Sequence, residues 1–324
     1  MTELRHALRR LARTPVFALA ASLTLSLAIG SNATVFALLN GVVLNPLPYP
    51  DSNRLIDLDH GSGVLRLPSG IGMTSGMYFQ FARASTLQGL AIYRGDSSTL
   101  VSDGRPERIQ IARATADLSD VLQIPPRVGR WFTSAESAPG GRAVAVLSHG
   151  LWVRRFGADQ AVVGRSVTLD GVPTDVVGIM PASFAFPDVR TEAWIPARVS
   201  RAMGFAVPFG HGGVARLKPG VSLDTARAEL NILIADLPNA YPGDTAILAN
   251  IRSGFFSTAV PLKDATIGSV AGGLWVLLTA MGLLLFVACA NIGNLVLVRA
   301  EGRQREVTVR RALGANLADI VRFF

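Results

Sequence analysis

The sequence predicts an α+β membrane protein in which two transmembrane helices flank a folded domain. Two observations carry this: residues 14–50 and 265–298 contain no Asp, Glu, Lys or Arg, and the segment between them is rich in short alternating runs closed by turn residues. A third agrees with them. Only 17% of the 324 residues are charged while 49% are apolar, a low charge content for a chain that folds in water.

The first apolar span runs over residues 16–39, about 36 Å as a helix and enough to cross a hydrocarbon core of about 30 Å with some tilt. Pro15 suits a helix start. The second span, residues 270–298, contains "LWVLLTAMGLLLFVACANIGNLVLV". A buried core helix rarely needs so long an uncharged run. A cleaved signal peptide is the rival for the first span, with small residues near Ala28 and Gly30 at the expected place. The apolar run continues past that point through "ATVFALL". In residues 1–15, Leu4, Leu8 and Leu11 share one helical face and arginines the other, which fits an amphipathic helix in the membrane interface.

Arginine placement sets the orientation. Arg5, Arg9, Arg10 and Arg13 precede the first span, and Arg299, Arg303, Arg305, Arg310 and Arg311 follow the second, whereas the inner flanks hold a single lysine. Excess basic charge stays cytoplasmic, so both termini are expected inside and residues 40–265 outside. The net charge of +8 then reflects topology, and no interleaving of aromatic with basic residues suggests nucleic acid.

In the outer segment, "LVSDGRPERIQIA" and "SVTLDGVPTDVVGIM" each place Asp-Gly between alternating apolar residues, a strong hairpin signal. Ser222 can cap a helix whose apolar face is Leu223, Ala226, Leu230, Leu233 and Leu237.

Catalytic chemistry is sparse. Lys218 and Lys263 are the only lysines and neither sits in a phosphate-cradling GxxxxGK[ST] loop. Ser148 and His149 are adjacent but lack a nucleophile elbow, and the four histidines show no metal-ligand spacing. No cofactor or metal is expected. Cys289, the one cysteine, reads as a packing residue of the second span. Asn291 and Asn294, with Gly282 and Gly293, are expected to pack that span against another helix, because unpaired amides are costly in hydrocarbon.

Residues 299–324 open with "RAEGRQREVTVRRALGAN". Glu306 and Arg310 are spaced for an i,i+4 pair, Arg310 and Arg311 suit a helix C-terminus, and Gly314 fits the position just past it. Asn316 can cap the next helix. This stiff helix either anchors on anionic lipid or takes a push from a soluble partner.

"FVACANIGNLVLVRAEGRQREVTVRRALGAN" resembles the second span and coupling helix of FtsX-like permeases of ABC transporters. "LRHALRRLARTPVFALAASLTLSLAIGSNATVFALLNGVVLNPLPYPDSNRL" resembles the amino terminus of MacB-like members. "LQIPPRVGRWFTSAE", "VAVLSHGLWVRRFGAD", "VVGRSVTLDGVPTDVVGIMPASFAFP" and "ARLKPGVSLDTARAEL" resemble their periplasmic core domain. The resemblance implies a two-lobed extracytoplasmic domain with an inserted lobe at about residues 116–205. It also implies a homodimer or pseudo-dimer in the bacterial inner membrane, and a separate ABC ATPase subunit facing Arg303, Arg305, Glu306, Arg310, Arg311 and Gly314. Such permeases have four spans per unit, so a longer permease is expected. The alternative from another class is a two-span receptor whose outer domain senses a ligand. An anchored extracytoplasmic enzyme is disfavoured by the missing catalytic constellation.

Overall fold

The computed structural model describes residues 15–301, apart from 65, 67, 68, 103, 205–208, 243, 244, 246–248 and 250–253. The amphipathic segment before Pro15 and the basic helix expected after Arg299 therefore lie almost wholly outside the described residues. The chain divides into two compact units. One contains the two long helices; the other runs from Pro46 to Thr266.

Helix α1 spans Pro15–Leu39 and passes into a π-helical turn, Asn40–Leu44. Helix α8, Leu262–Glu301, is 40 residues long, so the second expected span is the middle of a longer helix that begins before residue 270. Both contain windows long and apolar enough to cross a membrane, Ala21–Leu39 and Val270–Asn294. A core helix would be covered by protein. These windows are only 11% and 6% buried, and Leu27, Val276 and Phe286 stand more than two thirds exposed, as helices solvated by lipid do.

Among the described residues, the Pro46–Thr266 unit is built on ten strands: β1 (Leu55–Ser62), β2 (Leu87–Ser102), β3 (Arg105–Ala114), β4 (Val128–Gly129), β5 (Val144–Leu147), β6 (Ser166–Leu169), β7 (Val172–Ile179), β8 (Ala193–Pro196), β9 (Gly212–Leu217) and β10 (Phe255–Pro261). Between them lie α2 (Ser75–Phe81), α3 (Leu118–Leu122), α4 (Ser134–Ser137), α5 (His149–Phe156), α6 (Leu223–Ala235) and α7 (Leu237–Ala240). Both expected hairpins form. β2 pairs with β3 across residues 103 and 104, and β6 with β7 across Asp170 and Gly171, whose φ angles of 48° and 82° are those of a type I′ turn.

Strands β10, β1, β9 and the first half of β2 form an antiparallel layer. Alternation along β1 sends Ile56, Leu58 and His60 to one face, where α2 and α6 cover them through Met77, Phe81, Ala226, Leu230 and Ile234. Ser222 caps α6, its hydroxyl accepting from Thr225 N at 3.2 Å. That helix ends at Ala235, two residues short of Leu237, the last residue of the expected face. Pro238 has no N–H to give Ile234 and its ring crowds the preceding turn, so Leu237 starts the separate helix α7.

The remaining strands close on themselves. β2 pairs with β3, β3 with β8, β8 with β5, β5 with β7, β7 with β6, and β6 returns to β2 through Leu100↔Leu169 and Val101↔Thr168. This ring of six strands is a small barrel. Its interior is filled by one residue in two along each strand, including Leu100, Ile109, Ile111, Leu147, Val167 and Val176.

Candidate functional site

Within the helical unit, the less exposed positions of α1 are Ala21, Leu25, Ala28, Ser31, Asn32, Val35 and Leu39. Those of α8 beyond residue 266 are Ile267, Ala271, Leu274, Leu278, Met281, Leu285, Ala288 and Ile292. Apart from Ser31 both sets step by three and four residues, the 3.5-residue period of helices packed in a left-handed seam. Small residues at Ala21, Ala28, Ala271 and Ala288 fit a close approach of the backbones.

A polar contact crosses the seam. Asn32 Nδ2 donates to Met281 O at 2.8 Å and to Ala28 O at 3.0 Å. Three hydroxyls of the spans bond within their own helix, Ser31 to Leu27 O, Thr34 to Gly30 O and Thr279 to Trp275 O. Beside the seam lies a groove of about 570 Å³ lined mainly by apolar side chains, with Thr24, Ser31 and Asn32 as its polar members.

Gly282, Asn291, Gly293 and Asn294 lie off this seam and are exposed, and a Cβ on either glycine would meet nothing within 4 Å. They are thus not what joins α8 to α1. Asn32, which sequence reasoning passed over, takes that place. Cys289 is exposed as well. Arg303, Arg305, Glu306, Arg310, Arg311 and Gly314 lie outside the described residues.

Both helices connect to neighbouring strands of one layer. β10 passes into α8 with no residue between Pro261 and Leu262, and β10 pairs along its whole length with β1, the first strand after α1. Leu262 is buried in the central unit with Leu55, Val214 and Trp194. Arg216, at 1% exposure, fastens the same region: it donates to Val121 O at 2.7 Å, near the end of α3, and to Asp51 O at 3.3 Å.

Two ionisable groups on β1 are strongly perturbed. His60 is stacked between Phe255 at 4.8 Å and Phe81 at 5.6 Å, and its Nδ1 lies 2.8 Å from Gly72 O, which makes Nδ1 the protonated nitrogen. Burial drives its pKa down to about 4, although the Gly72 carbonyl and Asp59 favour the cation. Asp57 moves the other way, to about 6, through burial and then the neighbouring Asp59. Asp59 itself accepts from the N–H groups of His60, Gly72 and Gly70 at 2.5–2.7 Å and so pins the 70–72 loop.

The pair weighed as catalytic is a structural cap. Ser148 Oγ accepts from Leu151 N at 3.1 Å at the start of α5, and His149 packs edge-on against Trp152. Among the described residues no three His, Cys, Asp or Glu side chains gather as metal ligands would.

Comparison with known proteins supplies the context. The macrolide export ATP-binding/permease protein MacB of Burkholderia cenocepacia is 26% identical over 184 residues, 56% of this chain and 25% of that protein. Its counterpart in Burkholderia pseudomallei is 24% identical over the same length. The chain thus spans about a quarter of the length of these relatives. Among solved structures, the periplasmic region of MacB from Actinobacillus actinomycetemcomitans aligns with a TM-score of 0.48 at 16% identity, over 68% of this chain and 93% of that one. The extracellular domain of the ABC-type transporter YknZ from Gram-positive bacteria aligns with a TM-score of 0.46 at 14% identity, over 63% and 99%. The family model of the MacB-like periplasmic core domain matches residues 18–233 of the 324, and the chain belongs to that family.

Proposed function

We propose that this chain belongs to the permease subunit of an ABC transporter in the bacterial inner membrane, with both termini cytoplasmic and the Pro46–Thr266 unit outside. A separate ATPase subunit would dock on the basic helix after Arg299 and drive it during hydrolysis. The two spans would relay that motion outward to export or extract a substrate, the chain itself doing no chemistry. The supporting observation is the connection of both helices to paired strands, β10 directly to α8 and β1 after α1. In such a layout a displacement of one helix relative to the other loads the β1–β10 ladder, whose hydrogen bonds resist shear along the strand. Two lobes, with the inserted one at about residues 116–205, belong to the same proposal: β4 to β8 all fall between β3 and β9, although the barrel also takes β2 and β3. Gly282, Asn291, Gly293 and Asn294 are proposed to face further spans or a second permease half.

The test is capture of the cognate ATPase by the full-length permease. Glu306→Arg, Arg310→Glu and Gly314→Val should each abolish capture while the protein still inserts, since a mismatched charge at an interface costs about 2 to 5 kcal/mol and a side chain at Gly314 strains the helix stop. Capture that survives all three substitutions overturns the coupling-helix assignment. Reporters fused after Pro50 and Arg311 check the orientation, outside for the first and cytoplasmic for the second.

A further inference from the structure

The six-stranded barrel has one closed end and one open end. Helix α5 follows directly on the C-terminal end of β5, and its Leu151 and Trp152 join the barrel's apolar interior there. At the opposite end a cavity of about 170 Å³ opens, and every part of the ring contributes to it: Ser98 from β2, Arg113 from β3, Ile195 from β8, Ala143 at the start of β5, Thr174 from β7 and Leu169 from β6. Except for Ala143, which precedes its strand, these side chains continue the inward-facing alternation of the barrel core. The mouth of a barrel is a recurrent place for a ligand. A cavity of about 150 Å³ holds a benzene-sized molecule, so this one takes a small ligand or the end of a longer one.

Its chemistry is lopsided. Leu169 and Ile195 form its apolar inner wall, and the half-exposed Val172 adds an apolar side chain at the rim. Asp170 at the rim already accepts from Thr99 N and Ser98 Oγ, both at 2.8 Å, and Asp96 accepts from Ser97 N and from Arg113 Nε at 3.0 Å. These bonds hold both acids below the usual carboxylate range, with Arg113 the largest influence on Asp96 and Thr99 N–H on Asp170. They are therefore acceptors in use. Arg113 is different: beyond its Nε contact, its two terminal nitrogens have no hydrogen-bond partner among the described residues. Arg198 also lines the cavity, but its terminal nitrogens donate to the carbonyls of Gly141 and Arg142. Of the two arginines that line the cavity, Arg113 is thus the one with terminal nitrogens left to donate, beside the apolar Leu169 and Ile195.

We propose that the open end of this barrel binds a carboxylate carried on a small apolar body, with Arg113 holding the carboxylate by its terminal nitrogens and Leu169, Val172 and Ile195 taking the body. A guanidinium fork matches a carboxylate in geometry as well as charge. Two sources share this chemistry, a free branched acid and the C-terminal residue of a peptide.

Titration calorimetry on the full chain in lipid nanodiscs, with empty nanodiscs as reference, tests this with 4-methylpentanoate, Gly-Gly-Leu and Gly-Gly-Leu amide. Saturable binding of either acid is expected, with the amide at least about tenfold weaker; the acid that binds better identifies the source. Arg113→Met should weaken binding at least about tenfold. Ile195→Phe, which fills the cavity from another strand without touching a charge, should do the same, and its unfolding temperature shows whether the barrel is intact. Absence of saturable binding by both acids overturns the proposal, as does equal binding of acid and amide, or binding that neither substitution weakens in a folded protein.

Discussion

Asn32 and Met281, 249 residues apart in sequence, are joined by a hydrogen bond of 2.8 Å from the Asn32 amide to the Met281 carbonyl, between two long and mainly apolar helices. With its second hydrogen on Ala28 O, the amide has both donors satisfied, the condition for placing such a group in hydrocarbon. Interhelical bonds of this kind contribute about 0.6 kcal/mol, up to about 1.7. Asn32→Leu should therefore lower the SDS fraction at which the full chain unfolds, and Asn32→Asp, which buries a charge, should lower it further. Gly282→Leu, off the seam and with open space around its Cβ, should leave the midpoint of the isolated chain unchanged. A Gly282 effect equal to that of Asn32 would contradict the 3.5-residue seam.

His60 makes stability depend on pH in a defined direction. Its folded pKa, about 4, is below its ordinary value of 6.5, so the unfolded chain takes up a proton that the folded chain refuses. The neutral ring's contribution is complete above pH 6.5 and is lost as pH falls from there towards 4. Asp57 acts oppositely: its folded pKa, about 6, is above its ordinary value of 3.8, so its contribution is lost as pH rises through 6. A comparison with His60→Phe separates the two, because Asp57 remains in both proteins and the stack with Phe81 and Phe255 is kept. Unfolding temperatures between pH 4.5 and 7.5 should rise more steeply with pH in the wild type than in the variant. Parallel curves would show that His60 is not held neutral.

Where Gly129 of β4 meets Gly178 of β7 the backbones leave no room for a side chain. A Cβ on Gly178 would stand 2.2 Å from Arg130 O, and the neighbouring bond from Arg130 N to Val177 O is 2.9 Å long. Gly178→Ala must push the strands apart, at a cost of about 1 to 3 kcal/mol. Gly95→Ala on β2, with nothing within 4 Å of its Cβ, should change stability by less than about 0.5 kcal/mol. Chemical denaturation of both variants checks the contrast.

What the sequence made legible was local. Asp170-Gly171 names its own turn, because both residues must adopt positive φ and these two do so readily. Uncharged stretches name the helices, since composition alone decides what lipid accepts. Long-range relations left no such mark. Barrel closure depends on Leu100 meeting Leu169, two leucines that would alternate inward in any half-buried sheet. The α1–α8 seam was hidden because both spans are apolar all round, so hydropathy does not reveal which face is buried; only the size of Ala21, Ala28, Ala271 and Ala288 and the polarity of Asn32 mark it. Asn291 and Asn294 drew attention by the same polarity, yet a cost in hydrocarbon says that a partner is needed without saying which helix supplies it.

The end of the central unit gives the last prediction. Composition alone puts the start of the second span near residue 270, which suggests that the domain could be cut anywhere after β10. Leu262, however, is the first residue of α8 and is 3% exposed among Leu55, Val214 and Trp194, and Thr266 Oγ1 closes that first turn on Leu262 O at 2.8 Å. Residues 262–266 accordingly belong with the domain rather than with the rest of their helix. A chain of residues 46–266 should be soluble and unfold cooperatively. One ending at Pro261 loses a buried leucine and opens the core, at a cost of about 2 to 5 kcal/mol, a large part of the stability of an ordinary domain. Urea unfolding of the two followed by tryptophan fluorescence, which reports the Trp131 and Trp194 surroundings in that same core, should give a clearly lower midpoint for the shorter chain. Equal midpoints would mean that Leu262 adds nothing to the domain and that α8 starts, energetically, where its uncharged run does.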